Sequence, residues 1–98
     1  MTLEVVFRPA ARAEFDGATL WYEDRSPGLG AHFVAEIDRA VDLASRHPER
    51  YPLLQARIRC IRVRRFPYSV FYLVEAGRIV VLAVFHARRD PAIWKVRA

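Results

Sequence analysis

Residues 79–85 read Ile-Val-Val-Leu-Ala-Val-Phe, seven apolar side chains in a row. The run is far too short to cross a bilayer as a helix. A strand points successive side chains to opposite faces, so a strand apolar throughout needs cover on both. The run therefore predicts a central strand, and the rest of the chain has to supply that cover.

The flanking sequence supplies further elements. Leu3, Val5 and Phe7 alternate on one face of a first strand. Pro9 suits the first turn of a helix, where its missing N–H costs nothing. Ala11, Phe15, Ala18 and Tyr22 then recur at helical spacing to about Arg25. Ser26-Pro27-Gly28 breaks that helix and can cap the next. In the second helix Leu29, Phe33, Ile37, Ala40, Val41 and Ala44 form one apolar stripe, and His47-Pro48 ends it, because a residue before proline avoids the helical region. The segment PERYPLLQ reads as a loop. Strands are expected at residues 58–65, 68–74 and 79–85, with Phe66-Pro67 marking a bend or edge position and Ala76-Gly77 a tight hairpin turn. Asp90-Pro91 looks like the cap and first position of a short helix carrying Ile93 and Trp94. The order βααβββ over residues 1–98 predicts a single α+β domain, a helical hairpin packed on a mostly antiparallel four-stranded sheet with a short C-terminal helix.

Charge is distributed unevenly. Residues 51–98 carry ten basic and two acidic side chains, a balance of +8, whereas residues 1–50 stand at −3. Positive charge is thus built into the strand-rich half, which implies an acidic partner, either nucleic acid or an acidic protein segment. All but one of the basic residues are arginine, the exception being Lys95. Arginine offers a planar fork of donors to carboxylate and phosphate. The single cysteine, Cys60, excludes an internal disulfide framework and fits a reducing cytosol. The amino terminus lacks a signal peptide's apolar stretch. A cytoplasmic protein without membrane contact is the expectation. His32, His47, His86 and Cys60 have no ligand spacing, so no metal site and no cofactor is predicted.

The phrase R-x-x-R-F-P-Y-x-V-x-Y (Arg62, Arg65, Phe66, Pro67, Tyr68, Val70, Tyr72), a valine-rich strand and H-x-R-R-D-P-x-x-W (His86, Arg88, Arg89, Asp90, Pro91, Trp94) follow one another here. In that order, and with His47-Pro48-Glu49 at the helix end, they resemble the RelE/ParE superfamily of toxins from bacterial type II toxin–antitoxin systems. The resemblance covers nearly the whole chain and implies the fold already read from periodicity. Members resembling RelE are metal-independent endoribonucleases that cut mRNA on the ribosome. Members resembling ParE poison DNA gyrase. Both are held inactive, as hetero-oligomers, by an antitoxin with a disordered, often acidic tail.

Cleavage of RNA through its 2′-hydroxyl needs a base, cations for the phosphorane charge and an acid for the leaving oxygen. The ribonuclease members resemble one another in a strand ending R-L-V-Y, whose arginine faces the phosphate. Here the phrase is Ser69-Val70-Phe71-Tyr72, and Ser69 cannot supply that charge. No tyrosine follows Tyr72 and no lysine precedes Lys95. The catalytic candidates that survive are His86, Arg88 and Arg89. Against them stands a structural role, in which His86 closes the strand by bonding to backbone and Arg89 pairs with Asp90 or anchors the final turn. The five arginines at 57, 59, 62, 64 and 65 split between two strand faces.

The resemblance thus implies a ParE-like plasmid-stabilization toxin that acts by binding and poisoning DNA gyrase rather than by hydrolysis. Alternatives are a ribosome-dependent mRNA endoribonuclease and a non-toxic basic nucleic-acid-binding module. Expected target contacts are Arg62, Arg65, Tyr68, His86, Arg88, Arg89 and Trp94. Expected antitoxin contacts are Trp21, Phe33, Ile37, Arg62 and Arg65.

Overall fold

In the computed structural model, which describes residues 2–97, the apolar run lies inside an interior strand of a five-stranded sheet. The elements are β1 (Glu4–Phe7), α1 (Pro9–Arg25), α2 (Leu29–Arg46), β2 (Leu53–Gln55), β3 (Ile58–Arg62), β4 (Tyr68–Glu75), β5 (Arg78–His86) and α3 (Ala92–Lys95). The sheet order is β1-β5-β4-β3-β2, with β1 parallel to β5 and the remaining pairs antiparallel. From Ile79 to Phe85 no side chain is more than 5% exposed. Every position of the run is covered, as a strand apolar on both faces requires.

Two features depart from the expected outline. A fifth strand, β2, lies in the segment read as loop. Its three residues are all exposed and its pairing with β3 is bulged, so no apolar alternation marks it. The strand expected to reach residue 65 ends at Arg62, because the chain turns at Arg65 in the left-handed region (φ 69°).

Gly28 of the expected Ser26-Pro27-Gly28 break is the N-cap of α2, and a carboxylate from α1 completes the cap. Glu23 accepts the backbone N–H of Gly28 (3.0 and 3.1 Å) and of Gly30 (3.0 Å), satisfying open donors at the start of α2. Gly30 has to be small, since a Cβ there would come within 2.9 Å of the Thr19 carbonyl oxygen. Ala76 and Gly77 both have positive φ (52° and 73°), the geometry of the tightest hairpin turn, and they pair Glu75 with Arg78.

The helices cover one face of the sheet. Phe15, Ala18, Phe33, Ile37 and Ala44 meet Ile61, Val70, Tyr72, Ile79, Val81 and Val84 there. The other face carries Ile58, Phe71, Leu73, Val80, Leu82 and Phe85, and Trp94 of α3 packs on it. The two sets interleave except at a bulge. Phe71 pairs with Ala83 and Tyr72 with Val81, so Leu82 is the extra residue and joins Ala83 on the outer face. Among the described residues no helix is long and apolar enough to cross a membrane.

Tyr72 ties the two halves together. It is fully buried, and its hydroxyl donates to the Pro48 carbonyl at 2.9 Å, fastening β4 to the segment after α2. Burial pushes its phenol up to about 12. Between the unfolded value near 10 and that folded value the unfolded chain loses a proton that the folded chain keeps. Stability contributed by the neutral phenol is therefore complete below pH 10 and falls by about 2–3 kcal/mol as pH rises to 12. Tyr72→Phe is expected to cost about 1 kcal/mol at pH 7, through the orphaned carbonyl. It is also expected to shrink the alkaline loss, because the phenol is gone. Urea unfolding at pH 7 and pH 11 measures both; an equal alkaline loss in the two proteins would contradict the account.

Candidate functional site

The Phe66-Pro67-Tyr68 phrase docks the β3–β4 turn onto the helical hairpin. The Phe66 ring lies 4.9 Å from Tyr22 and 5.1 Å from Phe33, both edge to face. Tyr68 sits 5.0 Å from Phe33 and 5.2 Å from the His86 ring. These packed aromatics brace the turn from below and leave a cleft on each side of it. The cleft toward α2, about 300 Å³, is walled by His32, Ala35, Glu36 and Arg65. The cleft toward α1, about 480 Å³, is walled by Trp21, Tyr22, Pro67, Tyr68 and His86.

Two residues expected to meet an antitoxin are core. Phe33 and Ile37 have no exposed surface, because the apolar stripe of α2 is spent on the sheet. The apolar surface of the hairpin comes instead from α1, where Leu20 is 66% and Trp21 53% exposed. Trp21 stands edge-on to Tyr22 at 5.1 Å, and the Arg25 guanidinium lies 4.2 Å above its ring. Periodicity did not single out Leu20, since it falls off the stripe.

The arginines divide into committed and free. Arg59 donates to the Tyr51 (2.8 Å) and Glu49 (3.2 Å) carbonyls and holds the segment after α2. Arg57 pairs with Glu75 at 3.5 Å. Arg62 and Arg64, with Arg39 of α2, border a shallow groove next to Glu36. Arg65 lies on the other side of Glu36. These four arginines have no hydrogen-bond or ion-pair partner among the described residues, and one Glu36 carboxylate oxygen is buried without a hydrogen bond. The patch is a surface of unspent guanidinium donors.

The second group lies at the C-terminal end of β5. His86 Nδ1 accepts the Arg88 N–H at 3.0 Å, so its role as a strand-closing residue is realised. That bond leaves Nε2 as the position for a ring proton. Arg89 pairs with Glu14 of α1 at 2.8 Å, not with Asp90, and lies 4.5 Å over the Phe85 ring. Asp90 accepts the Ala92 N–H at 2.9 Å and so caps the last helix, as its place before Pro91 suggested. Trp94, expected at a target surface, is 4% exposed and stacks on Phe71 at 4.2 Å. Of the C-terminal candidates, Arg88 alone extends an uncommitted charge to solvent among the described residues.

A cavity of about 220 Å³ opens on the outer face between Cys60, Ser69, Phe85, His86, Arg89 and Trp94. Burial pushes the Cys60 thiol up, and the Ser69 hydroxyl and Arg62 pull it part of the way back. The thiol is therefore protonated at neutral pH and is a poor nucleophile. Ser69 lines this cavity, so the position that bears an arginine in the ribonuclease phrase offers only a hydroxyl here. No group of three or more histidine, cysteine or acidic side chains is arranged to hold a metal among the described residues. The sequence reading missed Glu14, Glu23 and Arg97. For Glu14 there was a signal, an acid four residues before Ala18 beside the apolar stripe of α1.

Two helices on one face of this sheet, with a basic turn beside the hairpin, form the fold of toxins from toxin–antitoxin systems. Residues 5–91 match the family described as ParE toxin of type II toxin-antitoxin system, parDE. The chain belongs to that family. Among solved structures it is similar to a chain of the chromosomal ParDE toxin–antitoxin system from P. aeruginosa, with a TM-score of 0.75 and 18% identity over 87% of this chain and 96% of that one. It is also similar to a chain of the toxin–antitoxin complex RelBE2 from Mycobacterium tuberculosis, with a TM-score of 0.59 and 24% identity over 88% and 99%. At these identities the two likenesses concern the fold. No curated protein matches the sequence significantly.

The division of the arginines has a measurable consequence. Arg59→Ala is expected to destabilise the fold by about 1–2 kcal/mol, because two carbonyls lose a charged donor. Arg62→Ala and Arg64→Ala are expected to stay within about 0.5 kcal/mol of the parent. Urea titrations of the three variants test this; equal losses would show that the free arginines carry structure after all.

Proposed function

We propose that the chain is a growth-inhibiting toxin that works by binding and poisoning DNA gyrase in the cytoplasm, and that a cognate antitoxin neutralises it. The observation that carries the binding mode is the state of the residues that would have to cleave RNA. His86 Nδ1 is taken by backbone, Arg89 is held by Glu14, and Ser69 stands where a phosphate-facing charge is needed. Losing one preorganised charge of that kind costs about 3 kcal/mol of barrier. Binding needs no such set. The exposed Arg88 and the α1-side cleft beside His86 offer a contact surface for a target protein.

The antitoxin reading rests on family membership and on charge. Arg39, Arg62, Arg64 and Arg65 form a patch that acidic side chains would satisfy. Leu20 and Trp21 offer apolar anchorage on the adjoining helix. A partly disordered acidic tail folding along the hairpin would use both.

Expression of the chain alone is expected to stop growth, and co-expression of the antitoxin to restore it. Gyrase–DNA breaks should then accumulate without phased cuts in ribosome-bound transcripts. Transcript cuts that vanish in His86→Ala, with gyrase untouched, would replace this reading with mRNA cleavage. For the antitoxin, Arg62→Glu with Arg65→Glu is expected to weaken binding about ten- to hundredfold, read by calorimetry at physiological salt. Unchanged affinity would remove the electrostatic part of the argument.

A further inference from the structure

β5 outlasts its parallel neighbour. β1 ends at Phe7, opposite Val81, and the Arg8 N–H makes the last backbone bond of that edge to the Val81 carbonyl at 2.9 Å. Residues 82–85 therefore have no strand on that side. Their open backbone groups are met by side chains. The Val84 N–H donates to Glu14 Oε1 at 3.1 Å, and the Leu82 carbonyl accepts from Arg97 Nη1 at 3.1 Å. Glu14 and Arg97 also grip each other through two parallel contacts, Nη1 to Oε1 at 2.9 Å and Nη2 to Oε2 at 3.1 Å. Arg89 adds a third cation contact to Oε2 at 2.8 Å.

One carboxylate on α1 thus closes the sheet edge and holds both ends of residues 89–97. Its side chain is only 12% exposed, and that of Arg97 20%, so solvent screens the pair far less than it screens a surface bridge. The segment has little else to hold it. α3 is four residues long, too short to persist by its own hydrogen bonds, and its one buried side chain is Trp94.

We propose that Glu14 is a positioning residue for the C-terminal segment: by pinning Arg89 and Arg97 it keeps Trp94 closed on the outer face of the sheet and presents Arg88 at the end of β5. Without its charge two guanidiniums remain side by side with no anion between them, and they repel. An amide in its place still accepts the Val84 N–H, but its NH₂ then confronts donors on both arginines. The structural part of this proposal stands on the geometry alone. Its consequence for toxicity rests on the reading of the His86–Arg88 end as a target-contact surface.

The test compares Glu14→Gln and Arg97→Gln with the parent protein. Amide exchange by NMR is expected to quicken about tenfold at Ile93, Lys95 and Arg97, whose N–H groups bond within the segment, while the amides of α2 keep their protection. In a Trp21→Phe background Trp94 is the sole fluorescent tryptophan, and its emission is expected to move to the red in both variants. The double variant should open the segment no further than Glu14→Gln alone, since that change already breaks the contacts to both Arg89 and Arg97. Unchanged exchange and emission in both folded variants would overturn the proposal. So would an equal loss of protection across α2, which would make Glu14 a residue of general stability. In cells, with Trp21 retained, Glu14→Gln is expected to relieve growth inhibition while antitoxin still binds; full toxicity with an opened segment would overturn the positioning role. A parent chain that never inhibits growth would count against the toxin reading alone, and the exchange and fluorescence results would still decide the role of Glu14.

Discussion

A strand apolar on both faces cannot be stable until both are covered, and β5 is such a strand. Each fully buried branched or aromatic side chain contributes about 1.5–3 kcal/mol, so leaving either face wet would forfeit more than a domain of this size has in reserve. The helical hairpin covers one face through Phe15, Phe33 and Ile37. The other receives Trp94 of the short α3, stacked on Phe71. This explains why aromatic residues that look like contact surface in the sequence, Phe33 and Trp94 among them, turn out to be cover.

The electrostatics follow from the same constraint. Carboxylates are scarce in the strand-rich half, so those near it are used where backbone is left open. Glu23 meets the donors at the start of α2, and Glu14 meets the bare edge of β5. Arg59 and Arg97 serve carbonyls in the complementary way. Among the described arginines of the strand-rich half, those left uncommitted are Arg62, Arg64 and Arg65 around the β3–β4 turn, joined by Arg39 of α2, and Arg88 beyond β5. The turn that presents the first group is held by aromatic packing rather than by charge, since Phe66 sits between Tyr22 and Phe33. A basic surface on an apolar footing suits recognition of an acidic partner, because the turn that carries Arg62, Arg64 and Arg65 is already braced and only their side chains are ordered on binding.

Much of this architecture was legible in the order of residues. Periodicity separated two helices from the strands, the double-faced run marked β5 as interior, and the Phe66-Pro67-Tyr68 phrase with the residues around His86 pointed to the family. Those features are local, written in side-chain alternation and in the backbone preferences of proline and glycine. β2 was not legible, since its pairing comes from the neighbouring strand and its own residues are all exposed. Nor could spacing say which arginines stay free, because that depends on which carbonyl or carboxylate lies within about 3 Å in space. Glu14 and Arg97, eighty-three residues apart, meet only because β1 is shorter than β5 and leaves an edge to be closed. The sequence by itself determined the helices, four of the five strands, the interior place of β5 and the family. Tertiary packing decided which aromatics became core and which charges were spent, because burial and pairing are properties of neighbours that the order of residues does not name.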